Sequence, residues 1–285
     1  MIAQHRADYP LRLMCRVLAV SPSGFYAWQR RPPSARQQAD TRLGVHIAAF
    51  HRRSRRRYGS PRIQRDLREE AGIQVSRKRV ARVMREAGLV GTPRRRFRVT
   101  TQADPRQAPS PNRLARQFTV AEPNRVWATD VTYLSTAEGW LYLAVVLDLA
   151  SRRVIGWALE SRLDRHLVLA ALERALARRR PSRGLLHHSD RGAEYTSGDY
   201  QKRLVQAGIV GSMSRRGDCW DNAVVENFFA TLKRELVPEA RWSTRAEAHA
   251  ALADYLDRWY NVHRRHSTLG YLSPAAYEAR LLSAA

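Results

Sequence analysis

Between residues 41 and 89, apolar side chains recur among basic ones at helical spacing, and three helices are predicted. The first spans about 41–53. The second starts at Ser60-Pro61, a capping residue followed by a proline at the first helical position, and stops near Gly72. The third runs from Ser76 to near Gly88. In it, Val80, Val83 and Met84 can face a core while Arg77, Lys78, Arg79, Arg82 and Arg85 occupy the rest of the surface. A short connection between the last two helices is what a helix-turn-helix requires. Past residue 119 the pattern changes. Strands are predicted at about 125–134, 140–150 and 153–160, then a helix at 163–179, a strand at 184–189, a helix at 197–207, a strand at 208–214 and a helix at 222–237. Three consecutive strands followed by alternating helices and strands give an α/β domain. Thr244 with Glu247 three positions later is a capping-box pattern opening a helix to about Trp259, and a last helix starts at Ser273-Pro274.

The flanking segments are less regular. In residues 1–40, Leu11 to Leu18 is apolar and basic, Ser21-Pro22-Ser23-Gly24 breaks it, and Phe25, Tyr26 and Trp28 follow; Arg31-Pro32-Pro33-Ser34 reads as a linker. Residues 93–118 hold Arg94, Arg95, Arg96 and Arg98 with four prolines, a basic and extended linker.

Charge sharpens this division. The chain of 285 residues has a net charge of +24, and 47 of its 50 basic residues are arginine. Residues 1–118 carry 27 basic against 7 acidic residues, whereas residues 119–285 carry 23 against 19. A basic front half on a nearly balanced back half implies a polyanionic partner, and guanidinium forks grip phosphate bidentately. The run Arg52 to Arg57 could hold phosphate or end a helix in solvent. Only Cys15 and Cys219 are present, which excludes a disulfide framework and a cysteine-based zinc site. The longest apolar stretch, Leu141 to Leu147, is too short to span a membrane. A cytoplasmic, nucleoid-associated protein is expected.

Three acids then stand out: Asp130 inside a strand pattern (RVWATDVTYLS), Asp190 at a strand end (LLHHSDRGAEY) and Glu226 in a helix pattern (DNAVVENFFATLKRE), with 35 residues between the second and third. A carboxylate inside an apolar run is costly to bury unless something pairs with it. Three carboxylates converging from a strand, a strand end and a helix can hold a pair of Mg²⁺ or Mn²⁺ ions, which suit phosphoryl transfer. At helical spacing Asn222, Glu226 and Lys233 share one face, so Lys233 could meet DNA. His187 and His188 could be metal ligands but read better as hydrogen-bonded neighbours of the site, Asp148 as structural, Asp221 and Asn222 as turn and cap of the Glu226 helix. Asp218 could join the site. Trp127, Trp140 and Trp157 alternate with apolar residues and are expected in the core, and Cys219 reads as a small loop residue.

These stretches resemble a known family. Trp127-Ala128-Thr129-Asp130-Val131-Thr132-Tyr133, His188-Ser189-Asp190-Arg191-Gly192-Ala193-Glu194-Tyr195, and Asp221-Asn222-Ala223 through Glu226 to Lys233 resemble the DDE core of second-frame (orfB-type) transposases of two-frame bacterial insertion sequences, a core shared with retroviral integrases. The stretch VSPSGFYAW and the tail YN–R–H–S–LGY–SP are similar to that family too.

The resemblance implies a ribonuclease-H-like catalytic core, a mixed five-stranded sheet with helices, at 119–240. Around it would lie a small helical segment at 1–40, a helix-turn-helix domain at 41–92, the linker at 93–118 and a helical extension at 241–285. It implies a metal-dependent DNA transposase that cleaves 3′ ends and transfers strands. Asp130, Asp190 and Glu226 would be catalytic, with Asp130 bridging two Mg²⁺ or Mn²⁺ ions. Lys233, Arg77, Lys78, Arg79, Arg82, Arg94, Arg95 and Arg96 would contact double-stranded DNA, with His188 and Asn222 supporting the site. A homo-oligomer is expected, and a first-frame partner protein could add DNA binding and a coiled coil. The alternatives are a structure-specific nuclease on the same core, or a DNA-binding regulator whose core is inactive.

Overall fold

A computed structural model describes residues 1–92, 110–215, 219–236 and 242–283. Arg94, Arg95 and Arg96, most of the linker and Asp218 lie outside the described residues, and so does the side chain of Cys219. Strands β1 (Val126–Thr136), β2 (Gly139–Asp148) and β3 (Val154–Glu160) form an antiparallel meander. Strands β4 (Leu186–Ser189) and β5 (Val210–Met213) join parallel to β1, giving the order β3-β2-β1-β4-β5. The five strands are those the sequence pattern predicts.

The sheet is covered on both faces, which is why β2 reads as an almost unbroken apolar run. Leu143, Val145 and Leu147 face one buried cluster with Val225, Phe228 and Leu232 of α9 (Ala223–Leu236). Ala144 and Val146 face a second cluster with Leu167, Ala171 and Leu172 of α6 (Arg165–Arg179). Contact between α6 and β3 is close enough that a Cβ added at Gly156 would lie 2.2 Å from the Ala171 carbonyl oxygen, so only glycine fits there. Short helices α7 (Ala193–Thr196) and α8 (Gly198–Gln206) join β4 to β5.

At the front of the chain, α1 (Leu11–Val17) and α2 (Pro22–Arg30) precede the three expected helices. The first of those, α3 (Ala35–Arg53), begins earlier than the pattern indicates, because Ser34 and Gln37 close a reciprocal capping box inside the expected linker. Helices α4 (Ser60–Glu69) and α5 (Arg77–Glu86) follow, with the Ser76 side chain capping α5 and Val80, Val83 and Met84 buried as expected.

The C-terminal helices contribute more than the sequence suggests. Helix α10 (Arg245–Ala253) continues as a π-helix over Asp254–His263, past the expected end at Trp259, before α11 (Pro274–Ser283). Within the π-helix, Asn261 accepts from the Val154 N–H and donates to the Val154 carbonyl, both at 2.9 Å, closing the outer edge of β3. The tail also binds the front helices. Tyr58 donates its hydroxyl to the His263 carbonyl and accepts from the Arg265 N–H. The Arg265 guanidinium reaches Asp66 at 2.6 Å. The arginine run 52–57 is therefore largely a fastener within the chain. Arg53 pairs with Glu70, Arg55 with Asp254 at 2.6 Å, and buried Arg57 stacks on Tyr255 and Trp259.

Trp127 and Trp157 are buried as expected, but Trp140 is 52% exposed. It sits near the end of the β1–β2 hairpin, outside the stretch of β2, Tyr142 to Leu147, that pairs with β3.

Candidate active site

Two strands bring the first two acids together. Parallel pairing of β1 with β4 runs from Val126 opposite Leu186 to Ala128 opposite His188. Continued by two residues, that register sets Asp130 beside Asp190, where β4 has ended and β1 goes on. The third acid, Glu226, lies in the first turn of α9. Asn222 fixes the start of that helix to β1: its side-chain amide donates to the Thr129 carbonyl at 3.1 Å, one residue before Asp130. The loop after Asp190 is held by Tyr195, fully buried, whose hydroxyl lies 3.2 Å from the Thr129 hydroxyl. Two residues from the sequence motifs, Asn222 and Tyr195, thus converge on the backbone and side chain of Thr129.

The acids are partly buried and repel one another. Burial, then Asp190, and more weakly Glu226 and Glu194, push the Asp130 carboxyl well above the usual carboxylate range, against the N–H of Val131. Burial raises Asp190 against the N–H of Gly192, and burial followed by Asp190 raises Glu226. Asp130 and Asp190 each spend one oxygen, Oδ1, on a backbone N–H, at 2.8 and 2.9 Å. The second oxygen of each has no protein donor among the described residues. Lys233 is the nearby cation: it is partly buried, attracted to Asp130, and its ammonium lies over the Tyr133 ring at 4.6 Å from the centroid. Burial lowers its pKa and Asp130 opposes that shift.

An oxygen-only set of this kind suits hard divalent cations. Such an ion would offset the burial that raises all three carboxyls and the repulsion that adds to it at Asp130 and Glu226. Among the described residues, no three His, Cys, Asp or Glu side chains are yet gathered tightly enough to grip an ion, so the carboxylates face one another without meeting.

Sequence reasoning passed over a fourth carboxylate. Glu194 is pushed up by burial and by Asp190, and it adds to the repulsion at Asp130. Its place in HSDRGAEY, one residue before the buried Tyr195, was the available signal. The histidines are supports. His188 lies 2.9 Å from the Ser212 hydroxyl and 3.2 Å from that of Ser214, joining β4 to the end of β5, and burial lowers its pKa to about 4. His187 meets the Tyr200 hydroxyl at 2.7 Å on the other face, and burial lowers it to about 3. Asp148 is structural as expected, accepting from the N–H groups of Asn124 and Ala150.

Asp221 differs from expectation. It is no simple turn residue but a buried hub, taking hydrogen bonds from Arg215, Arg116 and Asn112, and the two arginines hold its carboxyl far below the usual range.

The expected DNA-contacting residues fall into two groups. Arg77 and Lys78 are exposed at the start of α5. Arg79 and Arg82 are partly buried and turned to Asp40 of α3, at 2.7 and 2.6 Å.

Comparison with known proteins agrees with this layout. Residues 37–97 match the family described as HTH-like domain, and residues 120–219 and 207–274 match two described as Integrase core domain. The 31 kDa protein of insertion element IS600 from Shigella sonnei is 43% identical over 94% of this chain and 98% of its own. Transposase InsF of insertion sequence IS3A from Escherichia coli (strain K12) is 42% identical over 99% of this chain and 98% of its own. Among solved structures, the HTLV-2 integrase catalytic core domain in complex with magnesium (trimeric form) superposes with a TM-score of 0.43 at 17% identity, over 55% of this chain and 97% of its own.

Proposed function

The chain belongs to the insertion-sequence transposases to which InsF belongs, and from that membership we propose that Asp130, Asp190 and Glu226 are its catalytic carboxylates. The activity is DNA transposition by polynucleotidyl transfer, on an integrase-type core behind an HTH-like region. What supports the assignment is the neighbourhood of three acids, from a strand, a strand end and the first turn of a helix, beside the edge of β1 that β4 leaves open, close enough for Asp190 to raise both Asp130 and Glu226.

Two phosphoryl transfers share the site in this reading. In the first, water attacks a phosphodiester at the element's end; a new P–O bond forms, the bond to the 3′-oxygen breaks, and that oxygen leaves as a 3′-hydroxyl. In the second, that hydroxyl loses its proton and attacks a target phosphodiester, which releases another 3′-oxygen. Asp130, Asp190 and Glu226 would together hold two Mg²⁺ or Mn²⁺ ions. When bound, the ions supply stabilisation of charge on the phosphate and the leaving oxygen. Asn222 and Tyr195 keep Asp130 in place through Thr129. Lys233 holds a phosphate oxygen of the DNA end.

Arg77 and Lys78 would contact phosphates from the start of the recognition helix. Arg79 and Arg82 would do so from their Asp40 pair, and Arg94, Arg95 and Arg96 from the linker. Cutting two ends in concert calls for at least two copies, and a first-frame partner would add further DNA contacts. The described residues contain no helix long and apolar enough to cross a membrane, and the work is done at chromosomal DNA.

A labelled element end bearing a free 3′-hydroxyl, incubated with the purified chain, a target duplex and Mg²⁺, tests this. Joined products are expected. Hydrolysis without joining would make the chain a nuclease. DNA binding with neither reaction, even with a first-frame segment fused in front, would leave a regulator with an inactive core.

A further inference from the structure

The end of the β1–β2 hairpin overhangs the sheet. β4 pairs only with Val126 to Ala128 of β1, and β3 only with Tyr142 to Leu147 of β2. One face of the overhang is covered: Leu134 and Leu141 are buried in the cluster that includes Trp242, and the Ala137 N–H donates to the Trp242 carbonyl. The opposite face carries Tyr133 and Trp140, 45% and 52% exposed. Their rings meet edge to face, centroids 5.2 Å apart. The Lys233 ammonium sits over the Tyr133 ring, and Tyr133 is three residues from Asp130, about 10 Å along a strand. Asp130 and Tyr133 alternate to opposite faces of β1, and Lys233, drawn to Asp130 and seated over the Tyr133 ring, links the acid to the two exposed rings around the strand edge that β4 leaves open.

Two large aromatic rings left in water beside a cation suit a ligand that has both a phosphate and a flat π-face. We infer that Tyr133 and Trp140 are a stacking platform for one unpaired base at the DNA end, next to the phosphate under attack, while Lys233 takes the phosphate. This rests on the transposase reading above. Stacking a base on an aromatic side chain is worth about tenfold or more in affinity and tolerates any base. The platform would hold the frayed end out of the duplex and so place the scissile phosphate among the acids. It makes Tyr133 and Trp140 positioning residues, with no part in bond making.

The test pairs a protein change with a DNA change. Trp140→Ala and Trp140→Phe are compared with the wild type on labelled element ends, intact or with a single abasic nucleotide at each of the last few positions in turn. On the intact end, Trp140→Ala is expected to weaken end binding about tenfold, and Trp140→Phe to restore most of it. At one position, removing the base should cost the wild type as much, and Trp140→Ala should then cost nothing further. Equal losses on every abasic substrate, or none on the intact end, would overturn the inference, as would weaker self-association of Trp140→Ala without any DNA effect, which would put a second copy on the rings. Cleavage by the wild type that vanishes in Glu226→Gln, whatever Trp140 does, leaves the transposase reading standing. Absence of wild-type cleavage and joining, even with a first-frame segment fused in front, would sink both.

Discussion

Helix α9 carries two glutamates, Glu226 near its start and Glu235 near its end, and they have opposite electrostatic surroundings. Glu226 faces other carboxylates, and its pKa is raised by burial and by Asp190. Glu235 is more deeply buried, yet its pKa is lowered, because Arg264 and Arg62 outweigh the cost of burial. Arg264 and Glu235 are 4% and 3% exposed, joined at 2.8 Å, and the Tyr255 hydroxyl donates to the same carboxylate. His266 completes this region: burial and Arg264 hold it well below its usual pKa, and it lies 2.9 Å from the guanidinium. One end of the helix thus has its positive charge built in. The other has an excess of negative charge, with Lys233 the nearby cation, that a bound divalent ion would balance. The first arrangement fastens the tail to the core, and the second is the one the proposed metal-dependent chemistry requires.

The largest stability change expected from this contrast is at the satisfied end. Removing one partner of a buried pair strands the other, so Arg264→Ala should cost about 3–5 kcal/mol in urea unfolding. A loss below about 1 kcal/mol would mean the pair is not the fastener described. At the unsatisfied end the sign reverses. Asp190→Asn removes a repelling charge and should leave the metal-free melting temperature unchanged or raised; a clear fall would contradict the contrast.

The two ends should also part on acidification without metal. The raised carboxyls of Asp130, Asp190 and Glu226 bind protons in the folded state before the unfolded one, so their contribution to stability increases as pH falls through the window just above their usual values of 3.8 and 4.5. Glu235 is lowered, so its contribution is present above 4.5 and is lost as pH falls below it. Melting curves against pH should therefore show a shallow rise before acid unfolding, smaller in Asp190→Asn. Mn²⁺ should raise the melting temperature of the wild type by a few degrees, and less as pH falls, since ligands must be deprotonated. The smallest effect expected is at the DNA surface. Arg77→Ala or Lys78→Ala should weaken binding evenly across sequences and lower the salt slope by about one each. A sequence-dependent loss would instead make that residue a base reader.

Much of the fold was legible because it is written locally. The apolar run of β2, the caps at Ser76 and Thr244, and the strand context of Asp130 each depend on neighbours in sequence. The convergence of the three acids was legible only through the family resemblance. What stayed hidden is long-range. Tyr58 meets His263, Asp66 meets Arg265 and Arg55 meets Asp254 across about two hundred residues, so an arginine run that could have held phosphate supplies internal ties. Trp140 alternates with apolar residues like a core position, yet among the described residues no layer covers the face of the overhang it stands on. Glu194 is not legible because one acid in a four-residue helix has no period; only the fold brings it to Asp130.

The central claim is that the unbalanced carboxylates do the strand chemistry. Its most direct test is strand joining of labelled element ends in Mg²⁺ by Asp130→Asn, Asp190→Asn and Glu226→Gln, each first shown to melt no lower than wild type without metal. Loss of joining by about a hundred- to a thousandfold or more is expected for every one of them. Joining at the wild-type rate by any one of the three would contradict the account.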